Sequence, residues 1–219
     1  MKINKYIDHT VLKATASEGD ISDLCDEAKK YEFYAVCVNG SYVSYAKKQL
    51  EGSDVKIASV IGFPLGASDK DVKIFEAKKA VQDGADEIDM VMNLSMFKSM
   101  RYIEVEQEIR EIKEAINDKV LKVIIETCYL SPDEIILASQ LAVNANADFV
   151  KTSTGFGSEG ATEESLNLMI KAVEGRAQIK AAGGVRDIET AKKFIEMGVN
   201  RLGTSSGIAL IKGETTENY

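Results

Sequence analysis

Two lysines in apolar stretches are the residues of this sequence best suited to covalent chemistry. Lys151 closes an apolar run that begins at Phe149, and Lys180 lies in a second run, 178–182. An amine in a buried strand is costly unless it is paired or used, and the loss of water favours its neutral form. A neutral amine is a nucleophile that forms a Schiff base with a carbonyl carbon. These two lysines therefore predict an amine-based reaction centre.

The pairing of the two lysines strengthens this prediction. Adjacent parallel strands lie about 4.8 Å apart, so we expect the ammonium groups of Lys151 and Lys180 to approach each other. The second cation lowers the pKa of the first amine, which then becomes neutral near pH 7. Asp89, in a third apolar run, can balance the remaining charge and move protons. Attack of a lysine on a carbonyl, with proton transfer at the α-carbon, is class I aldolase chemistry.

Loops of glycine and hydroxyl residues follow the lysine strands and predict an anion site. Glycine lets backbone N–H groups approach an anion closely, and hydroxyl groups donate hydrogen bonds to it. Barrel enzymes often bind phosphate in the loops after strands seven and eight. We therefore expect a phosphate-bearing substrate held by Thr154, Gly155, Gly183, Gly184, Ser205 and Ser206.

Short β-rich runs alternate with longer helical periods along the chain, which predicts an α/β fold with a parallel sheet. About eight such pairs, without a break in composition, favour a single (β/α)8 TIM barrel over 1–219. The first turn lacks the Rossmann glycine signature, which disfavours an open doubly wound sheet. The polar stretch at about 212–219 is predicted to be a short mobile tail.

In such a barrel the working residues lie at the C-terminal ends of the strands and in the loops that follow. The pattern places Asp8 at the end of the first strand, Asp89 within the fourth and Glu126 at the end of the fifth. For Glu126, a structural role and a role in supporting catalysis are equally compatible with the sequence. The stretch 95–117 is predicted to form one long helix.

Composition excludes several classes of function. The chain has 219 residues, 45% hydrophobic and 28% charged, and a formal net charge of −8, which argues against nucleic acid or an anionic membrane as partner. His9 is the only histidine, and the three cysteines lack metal-ligand spacing, so we expect neither a metal site nor a disulfide framework. No apolar run is long enough to span a bilayer, and the N-terminus lacks the apolar core of a signal peptide. We therefore expect a cytoplasmic protein.

At the residues considered above the sequence resembles the deoxyribose-phosphate aldolases, a family of class I aldolases that form Schiff bases. The resemblance extends over nearly the whole chain, and its segments occur together in the family's order, which makes it highly specific. The segments are YIDHT (6–10), VCVN (36–39), VIGFPLG (60–66), EIDMV (87–91), IETC (125–128), FVKTSTGF (149–156) and IKAAGGVR (179–186).

The resemblance implies an activity and a set of substrates. It implies a (β/α)8 barrel that reversibly cleaves 2-deoxy-D-ribose 5-phosphate into D-glyceraldehyde 3-phosphate and acetaldehyde. It also implies that no metal or organic cofactor takes part. The cellular role that it implies is the catabolism of deoxyribose phosphate in nucleoside salvage.

The resemblance also implies a role for each site residue. Lys151 is similar to the lysine that forms the Schiff base, and Lys180 to the second lysine that lowers its pKa. Asp89 resembles the proton-relay acid, which acts through a water, and Asp8 the acid near the second lysine. Some members use a C-terminal tyrosine on a flexible tail as a proton shuttle, which implies that role for Tyr219. The positions that resemble the family's phosphate site are Gly155, Gly183, Gly184, Ser205 and Ser206.

Several positions depart from the family's pattern. Gly40 stands where the family usually has proline, and Ser95 and Met100 stand where it often has glycine. These departures leave substrate preference and loop motion open, and none of them involves the lysine pair.

Two other functions and the state of assembly also stay open. One alternative is a Schiff-base barrel enzyme for another sugar phosphate, for example with a transaldolase-like activity. The other is a non-catalytic barrel that binds a phosphorylated metabolite. Barrels of this kind often form homodimers, but the sequence does not set the oligomeric state.

Overall fold

Eight parallel strands close into a barrel. In the computed structural model, which describes residues 2–215, the strands pair in chain order and the eighth pairs back with the first. The predicted (β/α)8 TIM barrel is thus confirmed. The strands are β1 (Ile7–Val11), β2 (Ala35–Asn39), β3 (Lys56–Ile61), β4 (Glu87–Val91), β5 (Val120–Ile124), β6 (Phe149–Lys151), β7 (Gln178–Ala182) and β8 (Arg201–Thr204).

Helices connect the strands along the described part of the chain, as a parallel sheet requires. Local sequence signals set several of their starts. Ser17 and Ser131 cap the first and sixth helices, each in a capping box with the acidic residue three positions later. The helices are α1 (Glu18–Lys30), α2 (Val43–Gln49), α3 (Lys70–Asp83), α4 (Leu94–Lys98), α5 (Tyr102–Ala115), α6 (Pro132–Asn144), α7 (Glu163–Val173), α8 (Ile188–Met197) and α9 (Gly207–Lys212).

The prediction of one long helix over 95–117 is wrong. The chain forms α4 and α5 there, separated by Met100, whose φ of 58° lies in the left-handed region that a right-handed helix excludes. The break allows α5 to turn Val105, Ile109 and Ile112 toward the barrel, where all three are fully buried. Packing of this apolar stripe outweighs the local helical propensity of the connecting residues.

Side-chain alternation along the strands separates an outer apolar core from a polar barrel interior. In β4, Ile88 and Met90 belong to the main hydrophobic cluster, while Asp89 between them points the other way. Two predicted strand ends are wrong: Asp8 is the second residue of β1, and Glu126 lies two residues beyond β5. Within residues 2–215, no helix has the length and apolarity needed to cross a bilayer.

Candidate active site

The interior of the barrel holds a cluster of charged side chains that come from six strands. None of them is more than 4% exposed. Charges buried to this degree must be paired, because isolated charges cannot be desolvated at tolerable cost. We call this set the barrel cluster; its members are Asp8 on β1, Glu87 and Asp89 on β4, Lys122 on β5, Lys151 on β6, Lys180 on β7 and Arg201 on β8.

Asp89 joins the two predicted lysines. Lys151 and Lys180 are partners in register on β6 and β7. Lys151 Nζ donates to Asp89 Oδ2 at 2.8 Å, and Lys180 Nζ donates to the same oxygen at 2.7 Å. Lys180 Nζ also contacts Asp8 Oδ2 at 2.5 Å. The four residues predicted to form the reaction centre and described by the structure therefore form one connected network.

Three further members of the barrel cluster bond to this network from deeper in the barrel. None of the three was predicted from the sequence. Lys122 Nζ lies 2.7 Å from Asp89 Oδ1 and 2.5 Å from Glu87 Oε2. Arg201 Nε donates to Asp8 Oδ1 at 2.8 Å, and its guanidinium also bonds both oxygens of Glu87. Glu87, Lys122 and Arg201 form a deeper layer of the barrel cluster. The period of two in β4 puts Glu87 on the same face as Asp89, and this sequence signal could have revealed the deeper layer.

The charge balance of the barrel cluster favours a neutral amine. Its three carboxylates face four basic groups, so one positive charge is in excess when every base is protonated. Burial first, and then the Lys180 cation, lower the pKa of Lys151 below its ordinary value against the opposing effect of Asp89. The pKa values of the other three bases are raised, because their carboxylate partners outweigh the effect of burial. Lys151 is thus the base of the cluster that gives up its proton most readily.

Asp8 and Asp89 remain ionised. Burial alone would raise the pKa of Asp8, but the charges of Arg201 and Lys180 lower it to about 2. Burial opposes ionisation of Asp89 too, and contacts with Lys122, Lys151 and Lys180 hold its pKa well below the ordinary value. Because one of these contacts is the ammonium of Lys151, the proton affinity of Asp89 rises when Lys151 becomes neutral.

Glu126 fixes the start of the loop after Lys151. Both of its carboxylate oxygens accept from Thr154 N at 3.2 Å, and Thr154 Oγ1 also donates to the carboxylate. Burial raises the pKa of Glu126 despite these bonds. Phe156 N then donates to Thr154 Oγ1 at 3.0 Å. Glu126 therefore positions the loop, and Thr154 is engaged within the protein rather than turned toward an anion.

The glycine and serine positions gather at the same end of the barrel. Gly183 packs so closely on Gly160 that a β-carbon at Gly183 would lie 2.9 Å from the α-carbon of Gly160 and 3.7 Å from that of Gly155. Gly155 also lines a cavity of about 850 Å³ together with Ser205 and Ser206. The structure thus brings the loops after β6, β7 and β8 together, as an anion site at this end requires.

The cavity does not reach Lys151, which lies outside its lining and is 3% exposed. Phe156 borders the cavity and meets Phe63, from the loop after β3, with ring centroids 5.3 Å apart in an edge-to-face arrangement. On the β1–β3 side, Phe63 packs against a buried apolar cluster of Leu12, Cys37, Ala58 and Val60. Lys151 is therefore shielded from bulk solvent.

The predicted site residue Tyr219 lies outside the described residues. Burial raises the pKa of the Cys37 thiol, so this thiol stays protonated beside Lys151.

Comparison with known proteins shows similarity to one family of aldolases. Residues 2–213 match the DeoC/LacD family of aldolases. A deoxyribose-phosphate aldolase from Streptococcus sanguinis is 54% identical over 214 residues, which are 98% of this chain and 97% of that protein. The relative of the same name from Streptococcus uberis is 52% identical over 217 residues, which are 99% of each chain.

Solved structures show the same likeness. An aldolase named QR15 is 45% identical and superposes with a TM-score of 0.92, over 96% of this chain and 94% of that one. A tetrameric deoxyribose phosphate aldolase from Aeropyrum pernix is 30% identical, with a TM-score of 0.88 over 96% and 89% of the two chains. With its closed barrel and lysine network, and with these matches over nearly its full length, the chain belongs to the DeoC/LacD family of aldolases.

Proposed function

We propose that this chain is an aldolase that reversibly cleaves 2-deoxy-D-ribose 5-phosphate into D-glyceraldehyde 3-phosphate and acetaldehyde. The observation that carries the proposal is Lys151, the one base of the barrel cluster whose pKa is lowered, placed in register with Lys180 and bonded to Asp89. The names of the relatives at 52–54% identity support the same substrate.

The reaction begins with attack of the neutral Lys151 amine on the aldehyde carbon of the open-chain sugar. Loss of water gives an iminium ion, which draws electrons from the bond between C2 and C3. Removal of the proton from the C3 hydroxyl breaks that bond, releases D-glyceraldehyde 3-phosphate and leaves an enamine on the lysine. Protonation of the enamine carbon and hydrolysis then release acetaldehyde and restore the amine.

Each member of the network has a separate task in this proposal. Lys180, with Asp8 as its second carboxylate partner, keeps a fixed positive charge beside Lys151 and thereby keeps that amine neutral. Asp89 relays protons through a water. When Lys151 becomes an uncharged amine, Asp89 loses one ammonium contact, so its proton affinity rises before the amine attacks the carbonyl. The chemistry needs no metal or organic cofactor, because the iminium ion itself draws the electrons.

The anionic end of the substrate binds in the loops after β6, β7 and β8. Gly155, Gly183 and Gly184 supply backbone N–H groups, and Ser205 and Ser206 add hydroxyl donors. Thr154 shapes this site through its bonds to Glu126. The cavity beside Gly155 and the serines leaves room for the phosphate and the carbons next to it.

A direct assay tests the proposal. Purified protein is expected to release acetaldehyde and D-glyceraldehyde 3-phosphate in equal amounts from deoxyribose 5-phosphate. The substitution Lys151→Leu is expected to abolish release while the circular dichroism spectrum is retained, and Lys171→Leu, on the exposed surface of α7, is expected to leave it intact. Activity that survives in Lys151→Leu would contradict the proposal.

Other outcomes point to the alternatives. Cleavage of a different phosphorylated sugar, with the same lysine trapped, would indicate another Schiff-base barrel enzyme. Binding of sugar phosphates without any imine would indicate a binding protein. A buried amine of lowered pKa has little use in a binding protein, which is why we place that alternative last.

For the organisation of the protein we propose one catalytic domain over 1–219, a cytoplasmic location and a homodimer. The tetramer of the Aeropyrum pernix relative supports self-association, as do the exposed apolar side chains of Val72 and Phe75 on α3, at 49% and 70% exposure. Sedimentation tests the dimer: Phe75→Glu is expected to give a monomer, and a wild-type protein that sediments as a monomer would contradict it.

We also propose that Tyr219 shuttles a proton to the enamine carbon, by analogy with family members that end in tyrosine. Tyr219→Phe is then expected to slow exchange of the methyl protons of acetaldehyde with deuterated water, while borohydride trapping on Lys151 continues. Unchanged exchange would contradict this role.

A further inference from the structure

A buried ion pair outside the reaction centre joins α3 to α5. Lys73 Nζ lies 3.0 Å from Glu108 Oε1, and neither side chain is more than 1% exposed. Burial lowers the pKa of Lys73 and raises the pKa of Glu108, against the attraction between the two charges. Such a pair carries a desolvation cost that apolar residues would avoid. The mechanism proposed above uses neither group.

The pair bonds the backbone where β4 leaves the sheet. Lys73 Nζ donates to Val91 O at 3.0 Å, and Glu108 Oε2 accepts from Asn93 N at 3.3 Å. Val91 is the last residue of β4, two positions after Asp89. Asn93 in turn caps α4, since its side chain accepts from Met96 N. One salt bridge thus fixes both sides of the turn that follows the relay acid.

The stem of Lys73 also supports the neighbouring loop. A β-carbon at Gly62 would lie 2.8 Å from Lys73 Cε, so the backbone at the end of β3 rests directly on this side chain. Glu76, one turn further along α3, accepts from Gly62 N at 2.8 Å. The next residue, Phe63, carries the ring that meets Phe156 across the mouth of the barrel.

We propose that Lys73 and Glu108 are positioning residues of the aldolase reaction. They fix the end of β4 and thereby hold Asp89 Oδ2 at bonding distance from Lys151 and Lys180. This inference rests on the proposed function, because it assigns the pair to the same reaction centre. A pair that only stabilised the fold would have no effect on the proton affinity of Lys151.

The test uses a variant that removes the charges without leaving one of them unpaired. Lys73→Met with Glu108→Leu replaces the salt bridge by apolar side chains and removes the bonds to Val91 and Asn93. A matched control is Lys113→Met with Asp148→Leu. That pair also bonds backbone, with Lys113 Nζ on Lys119 O and Asp148 on Leu121 N, but at the opposite end of the barrel.

Two readouts separate positioning from stability. In the first double variant kcat for deoxyribose 5-phosphate is expected to fall about 10- to 100-fold with little change in KM, because a displacement of about 1 Å has that effect. The pKa of Lys151, taken from the pH dependence of its reductive methylation, is expected to fall, because a displaced Asp89 no longer stabilises the ammonium form. The control variant is expected to change neither quantity.

The milder variant Glu108→Gln keeps the inference testable if the double variant does not fold. Its single acceptor oxygen cannot bond Lys73 and Asn93 N together, so a smaller fall in both quantities is expected. A folded variant of either kind with the kcat and the Lys151 pKa of the wild type would overturn the positioning role. If wild-type protein does not cleave deoxyribose 5-phosphate, the proposed function fails, and the methylation readout still decides the positioning role by itself.

Discussion

Lys151 and Lys180 are partners in register on adjacent strands, yet their amines differ in proton affinity. Both donate to Oδ2 of Asp89, at 2.8 and 2.7 Å. Lys180 has a second carboxylate partner in Asp8, at 2.5 Å, and Lys151 has none. This one difference lets burial lower the pKa of Lys151 while the pKa of Lys180 is raised. The division of roles between nucleophile and fixed cation follows from it.

Removal of the fixed cation is expected to move the pH profile. In Lys180→Met, the positive charge beside Lys151 is lost, so the pKa of Lys151 rises and a smaller fraction of the amine is neutral at pH 7. The acid limb of kcat/KM therefore moves to higher pH, and kcat at pH 7 falls about 100-fold or more. The pH dependence of kcat/KM measures both effects.

Lys122→Met provides the matched comparison for that variant. Lys122 also contacts Asp89, but on Oδ1 and one layer deeper, and it is not among the charges that dominate the pKa of Lys151. The acid limb of kcat/KM is expected to move less in Lys122→Met than in Lys180→Met. Equal shifts in the two variants would contradict a specific effect of Lys180.

The stability of the protein is expected to depend on Asp8 at low pH. Its pKa of about 2 lies below the value of an unfolded chain, so its ionisation adds about 2 kcal/mol to the unfolding free energy above about pH 4. This contribution is lost as the pH falls from about 4 to 2. At pH 7, Asp8→Asn is expected to cost about 3–5 kcal/mol, because Lys180 and Arg201 lose a buried partner.

Urea unfolding at pH 7 and at pH 3 measures that dependence. The difference in unfolding free energy between wild type and Asp8→Asn should shrink at the lower pH. A difference of constant size would show that the carboxylate of Asp8 is not held ionised by its neighbours.

Two glycines with similar positive φ angles allow the phosphate site to be tested. Gly184 and Gly175 have φ of 77° and 73°, and a β-carbon at either position would meet no atom within 4 Å. Alanine therefore costs about 1 kcal/mol at each through backbone strain alone. We expect Gly184→Ala to raise KM for deoxyribose 5-phosphate about tenfold and Gly175→Ala to leave it unchanged. Unphosphorylated deoxyribose should not distinguish the two variants, and equal KM values for the phosphate ester would remove Gly184 from the site.

The barrel could be predicted from the sequence, and so could the part of its site that Lys151, Lys180 and Asp89 form. Alternating strands and helices indicate a parallel fold, and Lys151, Lys180 and Asp89 stand out because charged residues interrupt apolar strands. The contact of Lys180 with Asp8, 172 positions away, was expected only from the resemblance, because it depends on closure of the barrel between β8 and β1.

The deeper layer was harder to predict for the same reason. Glu87 and Arg201 each begin a strand, where exposed charged residues are common, so the period of two in β4 and the charge of Lys122 within the apolar run of β5 are the sequence signals of this layer. The break at Met100 was missed because its neighbours have helical propensity, and only the packing of α5 favours two helices. Residue types thus revealed the nucleophile, while tertiary contacts determine its proton affinity.

The most direct test of the central claim is borohydride trapping. Protein is incubated with acetaldehyde, and separately with deoxyribose 5-phosphate, then reduced, digested and examined by peptide mass spectrometry. The account predicts an ethyl adduct on Lys151 with acetaldehyde, none on Lys180, whose raised pKa keeps it protonated, and no adduct in Lys151→Leu. An adduct on Lys180 instead, or no adduct on folded wild-type protein with either compound, would contradict the assignment of Lys151 as the nucleophile.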